Sequence, residues 1–210
     1  MEENLTKREA NKVQKKEAFL KAAEELFVEK GFENTSIEEV VKHAGLTKRT
    51  LYQYFQSKED LYYAVALKGA RQLYETSMDA LRRGENAREK IRLANLAHLE
   101  FYKEHRDSFQ ILNYNPANRE NIEASSHFQQ IKLMDAERML QITSLMAAGT
   151  ADGSINPELD MKKAVFFGFF SAFSMLYTIA FTDKSIWKAL SMDEDEFLQF
   201  SFDLLADALK

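Results

Sequence analysis

The chain has 210 residues, 45% of them hydrophobic and 29% charged, a balance that suits a folded globular protein and excludes a disordered one. It contains no cysteine, which excludes disulfides and thiolate chemistry and fits a reducing compartment. A formal net charge of −5 offers no general attraction to a polyanion, so any affinity for nucleic acid has to be confined to a patch.

The opening MEENLTKREANKVQKK is charged and has no apolar run, which predicts no signal peptide and a cytoplasmic protein. Its Lys7, Arg8, Lys12, Lys15 and Lys16 are interleaved with acids and read as a solvated tail, the alternative being an arm that touches a minor groove. Two prolines and seven glycines predict long helices with short turns, and no alternating strand pattern or internal repeat stands out. The first helix is predicted from Lys12 to Glu29, with Phe19, Ala22, Ala23, Leu26 and Phe27 on one stripe. Gly31 ends it, and Phe32 is placed to pack back.

The next stretch, TSIEEVVKHAGLTKRTLYQYFQSK over residues 35–58, reads as two short helices joined by a tight turn. Thr35 or Ser36 caps the first of them, with Glu38 or Glu39 three residues on, a capping box either way. Val40, Val41 and Ala44 form its apolar edge, and Gly45 stops it by taking a left-handed conformation. Thr47 caps a second helix, about Lys48 to Phe55, whose inward side is Leu51 and Phe55. From Val40 to Lys58 the charged side chains are Lys42, Lys48, Arg49 and Lys58, with no acid among them. Lys48 and Arg49 also sit in a first helical turn, where a cation costs roughly 0.3–1 kcal/mol at low salt. A local rule broken in this way marks a site, and the site it marks is an anion-binding one.

Phe19 to Leu67, with Ala44-Gly45-Leu46, Thr50-Leu51-Tyr52, Tyr54-Phe55 and Ser57-Lys58, resembles the tetracycline-repressor (TetR) family of bacterial transcription regulators. Arg49 departs from that pattern, where the family commonly has Gly, Ala or Pro, so base preferences of relatives do not transfer. The expected fold is all-α: a three-helix helix-turn-helix module over residues 1–56, then a larger all-helical regulatory and dimerisation domain over 57–210. On the recognition helix Arg49 and Gln53 point away from the buried side and suit guanine and adenine edges respectively, with Lys48 and Tyr52 flanking. By position in the matching motif, the resemblance implies backbone contacts from Thr35, Thr47, Tyr52, Tyr54 and Lys58. His43, in the last turn of its helix, reads as structural.

Beyond the motif, Ser57 caps a long helix ending near Gly84, followed by helices at about Ala87–His105 and Asp107–Tyr114. After a break at Asn115-Pro116, one helix is predicted from Arg119 to Ala148, then a loop over residues 149–153. The last two helices run from about Pro157 to Thr182 and from Asp193 to Leu209. Residues 164–181 carry no charge and touch the lower length of a membrane span, yet include Ser171, Ser174 and Thr178. They read as a helix shared between core and interface, with no membrane as partner.

Phe166, Phe169, Phe170 and Phe173, with Phe197, Phe200, Leu204 and Leu205, are the expected dimer joint, a four-helix bundle across a two-fold axis. The resemblance further implies a cavity for a small effector. Its candidate lining is His98, Phe101, Tyr102, Phe109, Tyr114, His127, Phe128, Ile131, Met134, Phe170 and Tyr177, with Gln130 as a further polar group. Such a lining suits a large apolar or aromatic molecule better than a sugar or nucleotide. No cofactor and no metal set is expected, since no histidine–carboxylate spacing stands out. The same survey finds no nucleophile elbow, Gly-rich phosphate loop or HExxH pair, so an enzyme is not expected. The alternative within DNA binding is a larger domain that only dimerises or recruits a protein. Repression by obstruction of polymerase at a palindromic operator is what the resemblance implies.

Overall fold

The computed structural model describes residues 7–210 except 115, 117 and 118, and the backbone alone at 119 and 120. Among the described residues every regular element is an α-helix. They are α1 (Lys7–Lys30), α2 (Ile37–His43), α3 (Lys48–Leu51), α4 (Lys58–Arg83), α5 (Ala87–Glu104), α6 (Arg106–Asn113), α7 (Arg119–Ala124), α8 (Ser126–Asp152), α9 (Met161–Ala180), α10 (Ser185–Ala189) and α11 (Glu194–Asp207). The chain divides into two compact units: the first runs through Ala70 and adds Gln110–Lys132, and the second holds Arg71–Phe109 and Leu133–Lys210. The division thus falls past residue 56, within α4, and the first unit takes in a later segment.

The first unit is built on aromatic packing. The buried stripe of α1 is the expected set Phe19, Ala22, Ala23, Leu26 and Phe27, although the helix begins at Lys7 and takes in the basic residues read as a tail. Gly31 (φ +77°) turns the chain, and Phe32 folds back onto Phe27 and Tyr62, ring centres 5.7 and 5.1 Å away. Ser36, rather than Thr35, caps α2 in a full capping box with Glu39. Gly45 (φ +65°) makes the turn to α3, where Leu51 and Phe55 are buried as expected. Ser57 Oγ accepts from Asp60 N at 3.1 Å at the start of α4, whose Leu61 to Leu67 are all buried.

The second unit pairs α5 with α11. Arg92 reaches Asp203 at 2.5 Å and Arg88 reaches Asp207 at 2.9 Å, over a core of Ala87, Ile91, Met146, Ile155, Val165 and Leu209.

Three boundaries differ from expectation. The helix predicted from Arg119 to Ala148 is two, broken at Ser125, whose buried hydroxyl accepts from Phe128 N at 3.3 Å and starts α8 afresh. The loop predicted at 149–153 is instead the last turn of α8. A Cβ on Gly149 would lie 2.4 Å from Ile155 Cδ1, so this glycine serves close packing, and Gly153 (φ +77°) supplies the stop. The helix predicted from Pro157 starts at Met161, capped by Asp160, and α10 was not expected at all.

α9 is long and apolar enough to cross a membrane by length and composition, and only 22% of its most apolar window is buried. Val165, Ala172, Leu176 and Ile179 form its narrow buried stripe. Phe166, Phe167, Phe170, Phe173 and Tyr177 are uncovered, as is Phe181 just after it, so most of the cylinder lies outside the protomer's own core.

Candidate nucleic-acid interface and regulatory residues

α2 and α3 are held by their undersides: Ile37, Val40, Leu51 and Phe55 enter the core with Phe19, Leu26 and Leu61. Burial of that side obliges the other to face water. Arg49 and Gln53 are exposed there, and among the described residues Arg49 has no ion-pair partner. α3 keeps α-helical form only to Leu51, then tightens into a turn through Gln53 N to Thr50 O and Tyr54 N to Leu51 O. That is four residues where about eight were expected, and the turn still carries Gln53 and Tyr52 on the exposed side.

The other expected contacts fare differently. Thr47 is exposed and accepts from Thr50 N at 3.2 Å, capping α3. Lys48 is exposed but pairs with Glu38 at 2.5 Å, which raises its pKa and lowers that of Glu38. The cation at the helix start therefore has a structural counterweight that the acid-free window concealed. Tyr52 is half exposed, whereas the ring of Tyr54 lies against Phe19 and Phe55 at 6.1 and 6.3 Å. Lys58 is partly buried. Its ammonium lies 4.2 Å above the Phe32 ring and donates to the Glu33 carbonyl at 3.4 Å, where burial lowers its pKa. Thr35 is a correction: it is 2% exposed, and its hydroxyl lies between the carbonyls of Gly31 (2.8 Å) and Leu26 (3.2 Å). It closes the end of α1 and has nothing left to offer a phosphate. His43 pairs with Glu25 at 2.6 Å, the structural role expected of it.

Behind this surface lies a polar junction that sequence reasoning missed. Asp60 is 4% exposed, and its carboxylate accepts from Gln56 N (3.0 Å), Ser125 Oγ (2.6 Å) and His127 Nδ1 (2.8 Å). Burial opposes its ionisation, but the bonds from His127, Ser125 and Gln56 outweigh it and hold the pKa below the usual carboxylate value. The exit of the recognition helix and the start of α8 thus share one acceptor. Acids in a helix's first turn look like ordinary dipole partners in a sequence, and Ser125 and His127 lie 65 residues or more away.

The eleven residues expected around an effector are divided between the two units. Tyr114, His127, Phe128 and Ile131 belong to the first unit. Tyr114 stacks on Phe32 and donates to Glu33, His127 is taken by Asp60, Phe128 packs on Tyr63 at 4.8 Å, and Ile131 joins the same core. In the second unit Phe101, Tyr102 and Phe109 are buried, with Tyr102 and Phe109 at 5.1 Å, and Met134 is half-buried. Phe170 and Tyr177 are a further correction, since both stand on the uncovered side of α9.

His98 has the most developed surroundings of the set. Its Nδ1 donates to the Ala94 carbonyl (2.8 Å), which leaves Nε2 to accept from Arg138 (3.0 Å). Burial, with the Arg138 charge beside it, pushes the imidazole pKa down to about 4. Arg138 also holds Asp135 at 3.0 Å and lies 5.5 Å over the Phe169 ring. Arg138 was not singled out from sequence, where an Asp–Arg spacing of three reads as a solvated pair.

Among the described residues no cluster of three or more His, Cys, Asp or Glu side chains is placed to hold a metal. The family model "Bacterial regulatory proteins, tetR family" matches residues 19–65, which run from within α1 into the start of α4. The activator FasR of Mycolicibacterium smegmatis is 32% identical over 91 residues, which span 43% of this chain and 42% of FasR. The repressor KstR2 of the same organism is 24% identical over 147 residues, 70% of each chain. The structure of the regulator FadR from Bacillus subtilis, in complex with stearoyl-CoA, superposes with TM-score 0.65 at 19% identity, over 92% of this chain and 96% of that one. Residues 19–65 therefore match the tetR-family model, the whole chain shares the all-helical fold of FadR, and the aligned part spans less than half the length of FasR.

Proposed function

We propose that this protein is a cytoplasmic, homodimeric transcriptional repressor of a palindromic operator, released by a small apolar or aromatic effector. The observation that carries the reading is the exposed side of α3. Arg49 and Gln53 stand free above a buried Leu51/Phe55 side, in a stretch without acids on a chain of net charge −5. Arg49 and Gln53 read base edges, Lys48 and Tyr52 flank them, and Thr47, Tyr54 and Lys58 position the backbone. A single short helix reaches few base pairs, so two protomers present two copies to half-sites about one helical turn apart, or a multiple of that. The uncovered phenylalanines of α9, with Phe200 and Leu204 of α11, supply an isologous surface for the pairing.

The effector binds within the second unit, where Phe101, Tyr102, Phe109 and Met134 offer apolar surface and His98, set by Arg138, an orienting polar group. The two units share α4 and α8, which carry the chain from one into the other. An effector that favours one arrangement of these helices by about 1–3 kcal/mol changes operator affinity some 5- to 150-fold. The neighbour FadR, solved with stearoyl-CoA, supports an apolar chain as the part of the ligand that such a lining takes.

Selection of bound sequences from random DNA tests the reading. The expected product is an inverted repeat with half-sites about 10 base pairs, or a multiple, apart. Recovery of no enriched sequence, with no duplex bound at low ionic strength, removes it.

A further inference from the structure

The acid at the edge of the recognition surface carries a consequence for sequence discrimination. Two acids stand in the first turn of α2, and they have separate partners. Glu39 accepts from Ser36 N at 2.9 Å, completes the capping box and pairs with Lys30 at 2.8 Å. The partner of Glu38 is Lys48, ten residues away on α3, and both side chains remain at least half exposed (66% and 51%). The helix cap is therefore complete without Glu38, whose carboxylate is tied instead to a cation of the acid-free stretch over residues 40–58.

We propose that Glu38 is a specificity-determining residue of this interface, which withholds Lys48 from non-cognate duplex. The inference rests on the DNA-binding reading above. On a random sequence, moving Lys48 to a phosphate leaves Glu38 unpaired against a polyanion, so the gain of one contact is cancelled. On the cognate sequence a base amino group in the major groove, such as cytosine N4, accepts the role of partner, because a carboxylate recognises that donor. Lys48 is then released to the backbone at no electrostatic loss.

The test is a titration of a fluorescent mixed-sequence duplex and of the selected operator, each over a range of salt, with wild type and Glu38→Gln. Glutamine keeps the size and the hydrogen-bonding end while removing the charge. The substitution should strengthen mixed-sequence binding several-fold at low salt and steepen its log–log salt slope by about 0.9, one more phosphate neutralised. Operator affinity should rise less or fall, so the specificity ratio drops. In a Lys48→Met background most of the slope change should vanish. An unchanged slope and ratio, or the same change with and without Lys48, overturns the assignment while leaving DNA binding intact. A wild-type protein that binds neither duplex would instead remove the DNA-binding reading itself.

Discussion

Arg49 and Gln53 are one helical turn apart on a surface whose fold depends on Leu51 and Phe55 beneath, so their substitution separates recognition from stability. Arg49→Ala should cost about 1–3 kcal/mol at a single base position and leave the others alone, read from binding to operator variants. Equal weakening at every position would make Arg49 a backbone contact instead. His98 offers a different test, in stability against pH. Its native pKa of about 4 lies below the ordinary histidine value, so between the two the unfolded chain binds the proton and the native one does not. Stability should therefore fall as pH drops from about 6.5 toward 4, by at most about 1.4 kcal/mol per pH unit. Denaturant melts at pH 7 and pH 5 should converge in His98→Gln relative to wild type, and an identical pH dependence in both would reject the assignment. Exposure of Arg49 and Gln53 was legible because periodicity fixes which side of a helix is wet. The burial of Thr35 was not, since the carbonyls of Leu26 and Gly31 that claim its hydroxyl are brought to it only by the reversal at Gly31.

At the level of helices, the boundaries set by a local cap were the easiest to read. Ser36 and Ser57, both among the expected caps, each accept from a backbone N–H three residues on, a local interaction written in adjacent residues. The misplaced boundaries were decided by distant partners. Gly149 looked like a loop residue because glycine weakens helices, whereas Ala87 and Ile155 occupy the space its side chain would need. Gly149→Ala should therefore destabilise by about 1–3 kcal/mol from overpacking, less up to about 1 kcal/mol of gained helix propensity. A rise in the denaturation midpoint would overturn this account. The break at Ser125 has the same origin, in a buried carboxylate on α4. Asp60→Ala strands the donors of Gln56, Ser125 and His127 together, and unpaired buried groups cost about 1–3 kcal/mol each. Because its native pKa is lowered, the contribution of Asp60 is complete above the unfolded carboxylate value and disappears as pH falls through the native one. Asp60→Ala should accordingly lose more thermal stability at pH 7 than at pH 3.

For the molecule as a whole, the all-helical class followed from scarce proline and glycine and from stripes of period 3.6. The division into units did not, because it depends on which helices α4 and α8 meet after leaving the first unit. An effector lining was not legible for a related reason: aromatic side chains at helical spacing fill a core or line a cavity with the same pattern. In α9 the pattern announced burial and left open by what. Exchanging Phe167 and Phe200, which are 61% and 63% exposed, for Asp should give a folded monomer by sedimentation and abolish tight operator binding. Retention of the dimer would move the joint elsewhere.

The bare aromatic flank of α9 also bears on how durable each copy is alone. A protomer that leaves six phenylalanine and tyrosine rings in water between Phe166 and Phe181 gains folding free energy whenever a second copy covers them. If two copies pair there as proposed, the melting temperature should climb with protein concentration by mass action and fall on dilution. The proposed pairing would thereby tie the share of protein that is folded to how much of it is made.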